Sequence, residues 1–218
     1  MKHGPLQIRL QMLLRRFERD ENGTTVVELA VVMPLFLLLF FGLIDFGRMA
    51  FHYVTAEKAM QVAARVAAVR APACASVPLF YQRPSSGAPV PPPAFGTSCS
   101  SGANICAAEA TVQCSGTTAN ATSNEIWALI RGALPNNATV GNLRFIYTQD
   151  PNMGFLGGPY VPVVTVELQN LNFEFVSPLG ALVGLTGATA SGTLGADIPF
   201  PTMSVSLPAE DLDIGDNG

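Results

Sequence analysis

The sequence predicts an α+β protein with a long N-terminal helix, transmembrane and then amphipathic, followed by a small antiparallel β-sheet domain with one short helix. Three observations support this prediction. Residues 26–44 are apolar and long enough to span a membrane. Residues 45–70 continue with helical periodicity. Residues 105–218 contain short runs of alternating apolar and polar residues between turn-forming residues, which is typical of antiparallel strands.

The apolar run of residues 26–44 is the membrane span. At about 1.5 Å per residue it reaches roughly 28 Å, which is enough to cross the hydrocarbon core of a bilayer. Pro34 would weaken this helix in water but is tolerated within a membrane. Glu28 is the single charged residue of the run. A carboxylate at this position is costly, so we expect Glu28 to have a function and a partner.

The residues that flank the span predict its orientation. Basic residues outnumber acidic ones in the first 21 positions, whereas Asp45 and Arg48 balance each other just after the span. Because positive charge stays on the cytoplasmic side, the N-terminus is expected in the cytoplasm and the chain after about residue 45 outside. A cleaved secretory signal is the alternative, but its apolar core is shorter and ends in small residues, unlike the sequence that follows Ile44.

A specific pattern surrounds the start of the span. A basic leader ends in Gly23, Thr24 follows, and Glu28 precedes an apolar helix. This pattern resembles the prepilin-peptidase signal of type IV pilins and pseudopilins. The longer stretch from Gly23 to Leu35, together with Phe41–Arg48, resembles the TadE/TadG-like pseudopilins, or minor pilins, of the tight-adherence (Flp) pilus machinery. This family commonly has Glu-Phe where the present sequence has Glu28-Leu29. The resemblance is strong over roughly residues 15–70.

The resemblance implies a pilin-like fold and cleavage by a prepilin peptidase between Gly23 and Thr24. It also implies as partners the inner membrane, other pilins or pseudopilins, and a pilus assembly platform. The new amino group on Thr24 would lie one helical turn from Glu28, which could accept it from its own or a neighbouring subunit. The expected location is the bacterial inner membrane, as a single-pass protein that stays there or enters the pilus.

The helix is expected to continue beyond the membrane to about residue 70, with Pro72 as its stop signal. Polar residues recur at three- and four-residue intervals, at Asp45, Arg48, His52, Thr55, Lys58, Gln61 and Arg65. Small apolar residues form the opposite side, at Met49, Ala56, Ala59, Ala63, Val66 and Ala67. This alanine-rich side suits close packing, either with the β-domain of the same chain or with helices of other subunits.

The predicted segments are a cytoplasmic leader (1–23), the transmembrane helix with its exported extension (24–70), a Pro/Ser/Gly-rich linker or loop (71–104), and an exported α+β domain (105–218). Within this last domain we expect a strand in Cys106–Cys114 and a helix starting at Ser123 as its cap. Further strands are expected at Asn142–Thr148, Val161–Val176 (bent or split near Asn170) and Ser204–Leu207. The glycine-rich stretch Leu179–Ala196 is expected to be an exposed, flexible loop rather than a second span.

Four cysteines follow the span: Cys74, Cys99, Cys106 and Cys114. In an oxidising compartment an even number predicts two disulfides, with three connectivities that the sequence leaves open. A zinc site needs closer paired spacings, and the histidines, His3 and His52, do not complete one. We therefore expect no metal and no cofactor.

The composition disfavours several function classes. The chain is mildly acidic, with a net charge of −4, and offers no electrostatic footprint for nucleic acid. The sequence contains no nucleophile elbow, phosphate-binding loop or zinc-protease motif. We expect neither enzymatic activity nor a small-molecule substrate. The alternative function is an uncleaved, signal-anchored periplasmic binding or scaffold module, which would not need the Gly23/Glu28 pair.

Overall fold

The computed structural model describes residues 21–185, 195–210 and 212, so most of the predicted leader lies outside the described residues. It confirms the α+β class, with a long apolar N-terminal helix and a small antiparallel sheet. The helices and strands are, in chain order, α1 (Glu21–Val69), β1 (Val112–Ser115), α2 (Ala121–Ile130), β2 (Leu143–Thr148), β3 (Val163–Leu168), β4 (Asn172–Phe173), α3 (Leu179–Leu185), β5 (Ile198–Pro199) and β6 (Met203–Pro208). Short 3₁₀ helices occur at Cys99–Ser101, Arg131–Ala133 and Val140–Asn142.

The chain divides into two compact units. The first, here the anchor unit, contains residues 1–48 and 175–196. The second, here the sheet unit, contains residues 49–174 and 197–218. Helix α1 contributes residues to both and includes Pro34 without interruption.

The sheet unit is built on four antiparallel strands in the order β1-β2-β3-β6. Burial alternates along β2 and β3, so that Phe145 and its neighbour Val166 are both buried on one face. On the opposite face Arg144 and Glu167 form an ion pair at 3.9 Å. This alternation is that of an antiparallel sheet with one covered face.

The C-terminal part of α1, from Met49 onward, supplies part of the core of the sheet unit. Its small residues are buried within that unit: Ala56, Ala59, Ala63, Ala64, Ala67 and Ala68. The Thr55 hydroxyl donates to the Ala133 carbonyl at 2.8 Å, and Arg70 pairs with Glu125 at 3.2 Å. Of the two packing partners considered for the alanine-rich side, the structure therefore shows the domain of the same chain.

Strands β2, β3, β4 and β6 follow the predicted pattern, whereas β5 was not predicted and the first strand is shifted. The predicted run Val161–Val176 splits into β3 and β4, and Asn170 between them has a φ of 53°, a conformation that asparagine tolerates. The first strand is later than predicted, at Val112–Ser115. The residues before Val112 do not pair with β2. Ala107, for example, donates its N–H to the Gln82 carbonyl at 2.7 Å.

Helix α2 begins before the predicted cap. Asn120 is the N-cap, and its side-chain oxygen accepts the Ser123 N–H at 2.9 Å. The Ser123 hydroxyl accepts the Thr117 N–H at 2.9 Å instead. The prediction of Ser123 as cap is thus wrong, because asparagine three residues earlier satisfies the first free N–H groups of the helix.

The proline-rich segment 71–104 is irregular but packed. Tyr81 donates its N–H to Gly158 at 3.0 Å and accepts the Gly157 N–H at 2.9 Å, and its side chain is buried. Gly154 has a φ of 87°, and a Cβ there would collide with the Tyr81 ring. Whether the segment acts as a linker stays a prediction.

The expectation of a flexible loop is wrong for residues 179–185, which form α3. Leu179 and Leu182 are buried, and Leu182 donates its N–H to the Pro178 carbonyl at 3.1 Å. Burial of these leucines on one face offsets the low helix propensity of the two glycines in α3. Residues 186–194 of the same stretch lie outside the described residues.

Candidate functional site

The surface of α1 in the anchor unit is apolar and exposed. Within the described chain, α1 is the one helix that is long and apolar enough to cross a membrane. Its large exposed side chains there are Val26, Val27, Leu29, Val31, Val32, Met33, Leu35, Phe36, Leu39, Phe40, Leu43, Ile44 and Phe46. An apolar surface of this extent is unfavourable in water, so lipid or other apolar helices must cover it.

The predicted processing and assembly residues lie near the start of this surface. Gly23 and Thr24 both belong to α1, and Glu28 is exposed. Thr24 and Glu28 are four residues apart, so a helix places them on the same face. Among the described side chains, none forms a hydrogen bond or ion pair with Glu28. The roles of Gly23, Thr24 and Glu28 stay predictions.

A second site lies just beyond the span. The side chain of Asp45 is only 1% exposed. Its carboxylate accepts the Ser177 N–H at 3.1 Å, the Val176 N–H at 3.4 Å and the Arg48 guanidinium at 3.0 Å. We call these four residues the Asp45 clamp. A buried charge must be paired and hydrogen-bonded to be tolerated, and the clamp meets this requirement.

Further contacts in the anchor unit support the clamp. The rings of Phe46 and Phe175 meet edge to face with centroids 5.8 Å apart. Gly195 packs against the start of α3, since a Cβ on it would lie 3.6 Å from the Leu179 Cβ. The stretch that follows β4 is therefore held against residues 45–46 of α1.

The sequence did not reveal this contact. The sequence predicts Asp45 on a polar helical stripe with Arg48, which is consistent with the Arg48 contact but does not predict that the Asp45 side chain is buried. The other two partners are backbone N–H groups more than 130 positions away. One feature of the composition could have indicated that this stretch packs near the span. The chain has no acidic or basic residue from Phe175 to Ala196.

The four cysteines form two disulfides in the sheet unit. Cys74 is bonded to Cys114 and Cys99 to Cys106, with sulfur–sulfur distances of 2.01 Å and 1.97 Å. The first joins the segment after α1 to strand β1, and the second closes a short loop. The structure thus selects one of the three connectivities that the sequence left open.

Three tyrosines are buried in the sheet unit: Tyr81, Tyr147 and Tyr160. Burial raises the pKa of Tyr160 to about 12, with smaller effects from the charges of Tyr81 and Glu109. Burial likewise raises the pKa of Tyr81, although its hydroxyl donates to the Val161 carbonyl at 3.2 Å. Burial also raises the pKa of Tyr147, although its hydroxyl accepts the Ala73 N–H at 2.8 Å.

An apolar groove of about 360 Å³ lies between α1 and α2 in the sheet unit. Its lining residues are Val54, Thr55, Lys58, Ala59, Val62, Leu129, Ile130 and Ala133. The lining contains one charged group and no carboxylate, so it lacks the convergent polar groups of a catalytic cleft. Within the described part of the chain, no three His, Cys, Asp or Glu residues are grouped so as to hold a metal ion.

Comparison with known proteins identifies the N-terminal region. The family model of TadE-like proteins matches residues 23–65. No curated protein and no solved structure matches the chain. The matched range begins at Gly23, includes the exposed apolar surface and Asp45, and ends in the C-terminal part of α1. Over residues 23–65 the chain is thus similar to TadE-like proteins, which confirms the resemblance found in its sequence.

Proposed function

We propose that the protein is a membrane-anchored pseudopilin, or minor pilin, that takes part in assembling a tight-adherence (Flp-type) pilus. One observation carries the proposal: the TadE-like match over residues 23–65 coincides with a helix whose membrane-length apolar surface is exposed. This surface can be covered by lipid before assembly and by the helices of other subunits afterwards.

The first step in the proposal is processing by a prepilin peptidase. Hydrolysis of the Gly23–Thr24 bond would add one water, leaving a carboxylate on Gly23 and an ammonium group on Thr24. Because glycine within a helix is less favourable than alanine by about 1 kcal/mol, Gly23 eases the local opening that proteolysis requires. Glycine also presents no side chain to a tight peptidase pocket.

The second step is pairing of the new ammonium group with Glu28. The two groups are one helical turn apart, so Glu28 can accept the amine of its own or a neighbouring subunit. Either charge alone is costly in a low-dielectric helix bundle, and pairing therefore sets the register between subunits. Apolar contacts along residues 26–44 then hold the subunits together, while an assembly platform extracts them from the membrane.

The proposed topology is a single pass through the bacterial inner membrane. The N-terminus is cytoplasmic and the sheet unit is periplasmic or extracellular, where the two disulfides would be stable. We propose that the protein has no catalytic activity and binds no cofactor, and that its partners are pilins, the peptidase and the assembly platform.

Complementation tests this proposal. A host that lacks the chain should release little pilus material on shearing, and the wild-type chain should restore it. Gly23→Leu, which places a bulky side chain in the peptidase pocket, should not restore it, whereas the matched control Gly23→Ala should do so in part. If Gly23→Leu restores pilus material to the wild-type level, the alternative of an uncleaved binding or scaffold module is favoured instead.

A further inference from the structure

The stretch Phe175–Leu185, here called the apolar strap, has no role in the proposed pilus function. It belongs to the same compact unit as the membrane-spanning part of α1. Its sequence contains no charged residue and ends in the helix α3. Because the segment has no charged side chain, moving it out of water carries no cost of desolvating a charge.

The apolar strap is fixed at the exported end of the span. Asp45 is the first residue after the apolar run 26–44, and its carboxylate accepts the backbone N–H groups of Val176 and Ser177. Phe175 packs its ring against that of Phe46. The start of the apolar strap therefore lies at the level where α1 leaves the hydrocarbon.

Apolar side chains are exposed both on the apolar strap and on the part of α1 to which it is bonded. Val176 is 74% exposed, although Phe175 before it and Ser177 after it both contact α1. On α1, Leu43, Ile44 and Phe46 are exposed around Asp45. All of these residues belong to the anchor unit.

We propose that the apolar strap lies in the bilayer interface on the exported side, where Val176 and the exposed side of α3 contact lipid. The Asp45 clamp allows the start of the strap to lie there without unpaired backbone N–H groups. A backbone N–H group that loses contact with water is costly unless it is hydrogen-bonded, and Asp45 provides acceptors for the two at the start of the strap. Because the strap carries no charge, neutral lipid headgroups suffice. The proposal rests on membrane anchoring by α1 but not on processing or pilus assembly.

Lipid-phase quenching of tryptophan fluorescence tests the proposal. The single native tryptophan is replaced by Trp127→Phe, and one tryptophan is then introduced into the full chain by Val176→Trp or, separately, Ala181→Trp. Each protein is reconstituted in phosphatidylcholine vesicles with or without bromine on the acyl chains near the headgroup. Both variants are expected to lose most of their emission in brominated lipid and to resist quenching by acrylamide.

Two controls make the result specific. Leu39→Trp reports on the span and should be quenched by brominated lipid. Val90→Trp, at a valine of the sheet unit that is 95% exposed, should be insensitive to bromination. Labelling of free thiols verifies that each variant has formed its disulfides and has therefore folded.

The possible outcomes distinguish whether lipid, water or a second copy of the chain covers the apolar strap. Quenching of Val176→Trp and Ala181→Trp by acrylamide but not by brominated lipid would place the apolar strap in water and overturn the proposal. Protection from both quenchers that disappears in nanodiscs holding one copy would mean that a second copy covers the strap, which also overturns it. If Leu39→Trp is not quenched by brominated lipid, anchoring itself fails, and both this proposal and the proposed function are contradicted.

Discussion

The carboxylate of Asp45 and the backbone N–H of Ser177 lie 3.1 Å apart, although 132 positions separate the two residues in the chain. This contact joins the C-terminal end of the apolar run 26–44 to the apolar strap. It also explains how a carboxylate with a 1% exposed side chain is tolerated at this position.

Removing the Asp45 acceptor should loosen the apolar strap. Asp45→Ala leaves the N–H groups of Val176 and Ser177 without their charged acceptor, and a hydrogen bond to a charged group is worth about 1.5–3 kcal/mol. We therefore expect amide hydrogen exchange of the peptide that contains both residues to accelerate tenfold or more. The conservative variant Asp45→Asn keeps one acceptor and should accelerate it less. Unchanged exchange in Asp45→Ala would show that the clamp does not hold the strap.

The two disulfides should differ in their contribution to stability. Cys74–Cys114 closes a separation of 40 positions and Cys99–Cys106 one of 7. Restriction of the unfolded chain then predicts a loss of about 4 kcal/mol for the double substitution Cys74→Ala/Cys114→Ala and about 2.5 kcal/mol for Cys99→Ala/Cys106→Ala. Denaturant unfolding of the two variants against wild type measures both values. A larger loss on removing Cys99–Cys106 would contradict this ranking.

The buried tyrosines predict a loss of stability in alkali. Unfolded tyrosine has a pKa near 10, whereas burial raises the pKa of Tyr160 to about 12 in the folded protein. Between these values the folded state holds more protons than the unfolded state, so the free energy of unfolding falls as pH rises. The contribution is complete below about pH 10 and is lost as pH rises through about 12. Absorbance titration of tyrosinate should show a late step that Tyr160→Phe removes; if it remains, it belongs to another tyrosine.

The pattern of apolar residues was enough to predict α1, β2 and β3. Residues 45–70 of α1 and strands β2 and β3 have a period of 3.6 or 2 with a buried side, whereas residues 26–44 were predicted from the length of their apolar run. The sequence could not show that the alanine side of α1 packs within its own unit, since small residues suit any close neighbour. It also could not pair the cysteines or find the Asp45–Ser177 contact, because both depend on how distant segments are brought together.

The matched glutamates of α1 allow a test of the assembly site. Glu28→Gln keeps the shape but removes the charge, so membrane insertion and cleavage should persist. Assembly should fall, because the Thr24 ammonium group loses its partner in a low-dielectric bundle. Glu57→Gln changes an exposed glutamate in the part of the same helix that follows the apolar run, and it should assemble normally. The measurement is the amount of mature protein in sheared pilus material relative to membranes. Wild-type assembly of Glu28→Gln would refute the pairing mechanism but not the family resemblance.

Cleavage between Gly23 and Thr24 is tested by the intact mass of the protein purified from its native host, with and without the prepilin peptidase. The chain is expected to begin at Thr24 when the peptidase is present and to retain the leader through Gly23 when the peptidase is absent. A chain that still carries the leader in the presence of active peptidase would refute processing and favour an uncleaved membrane-anchored module.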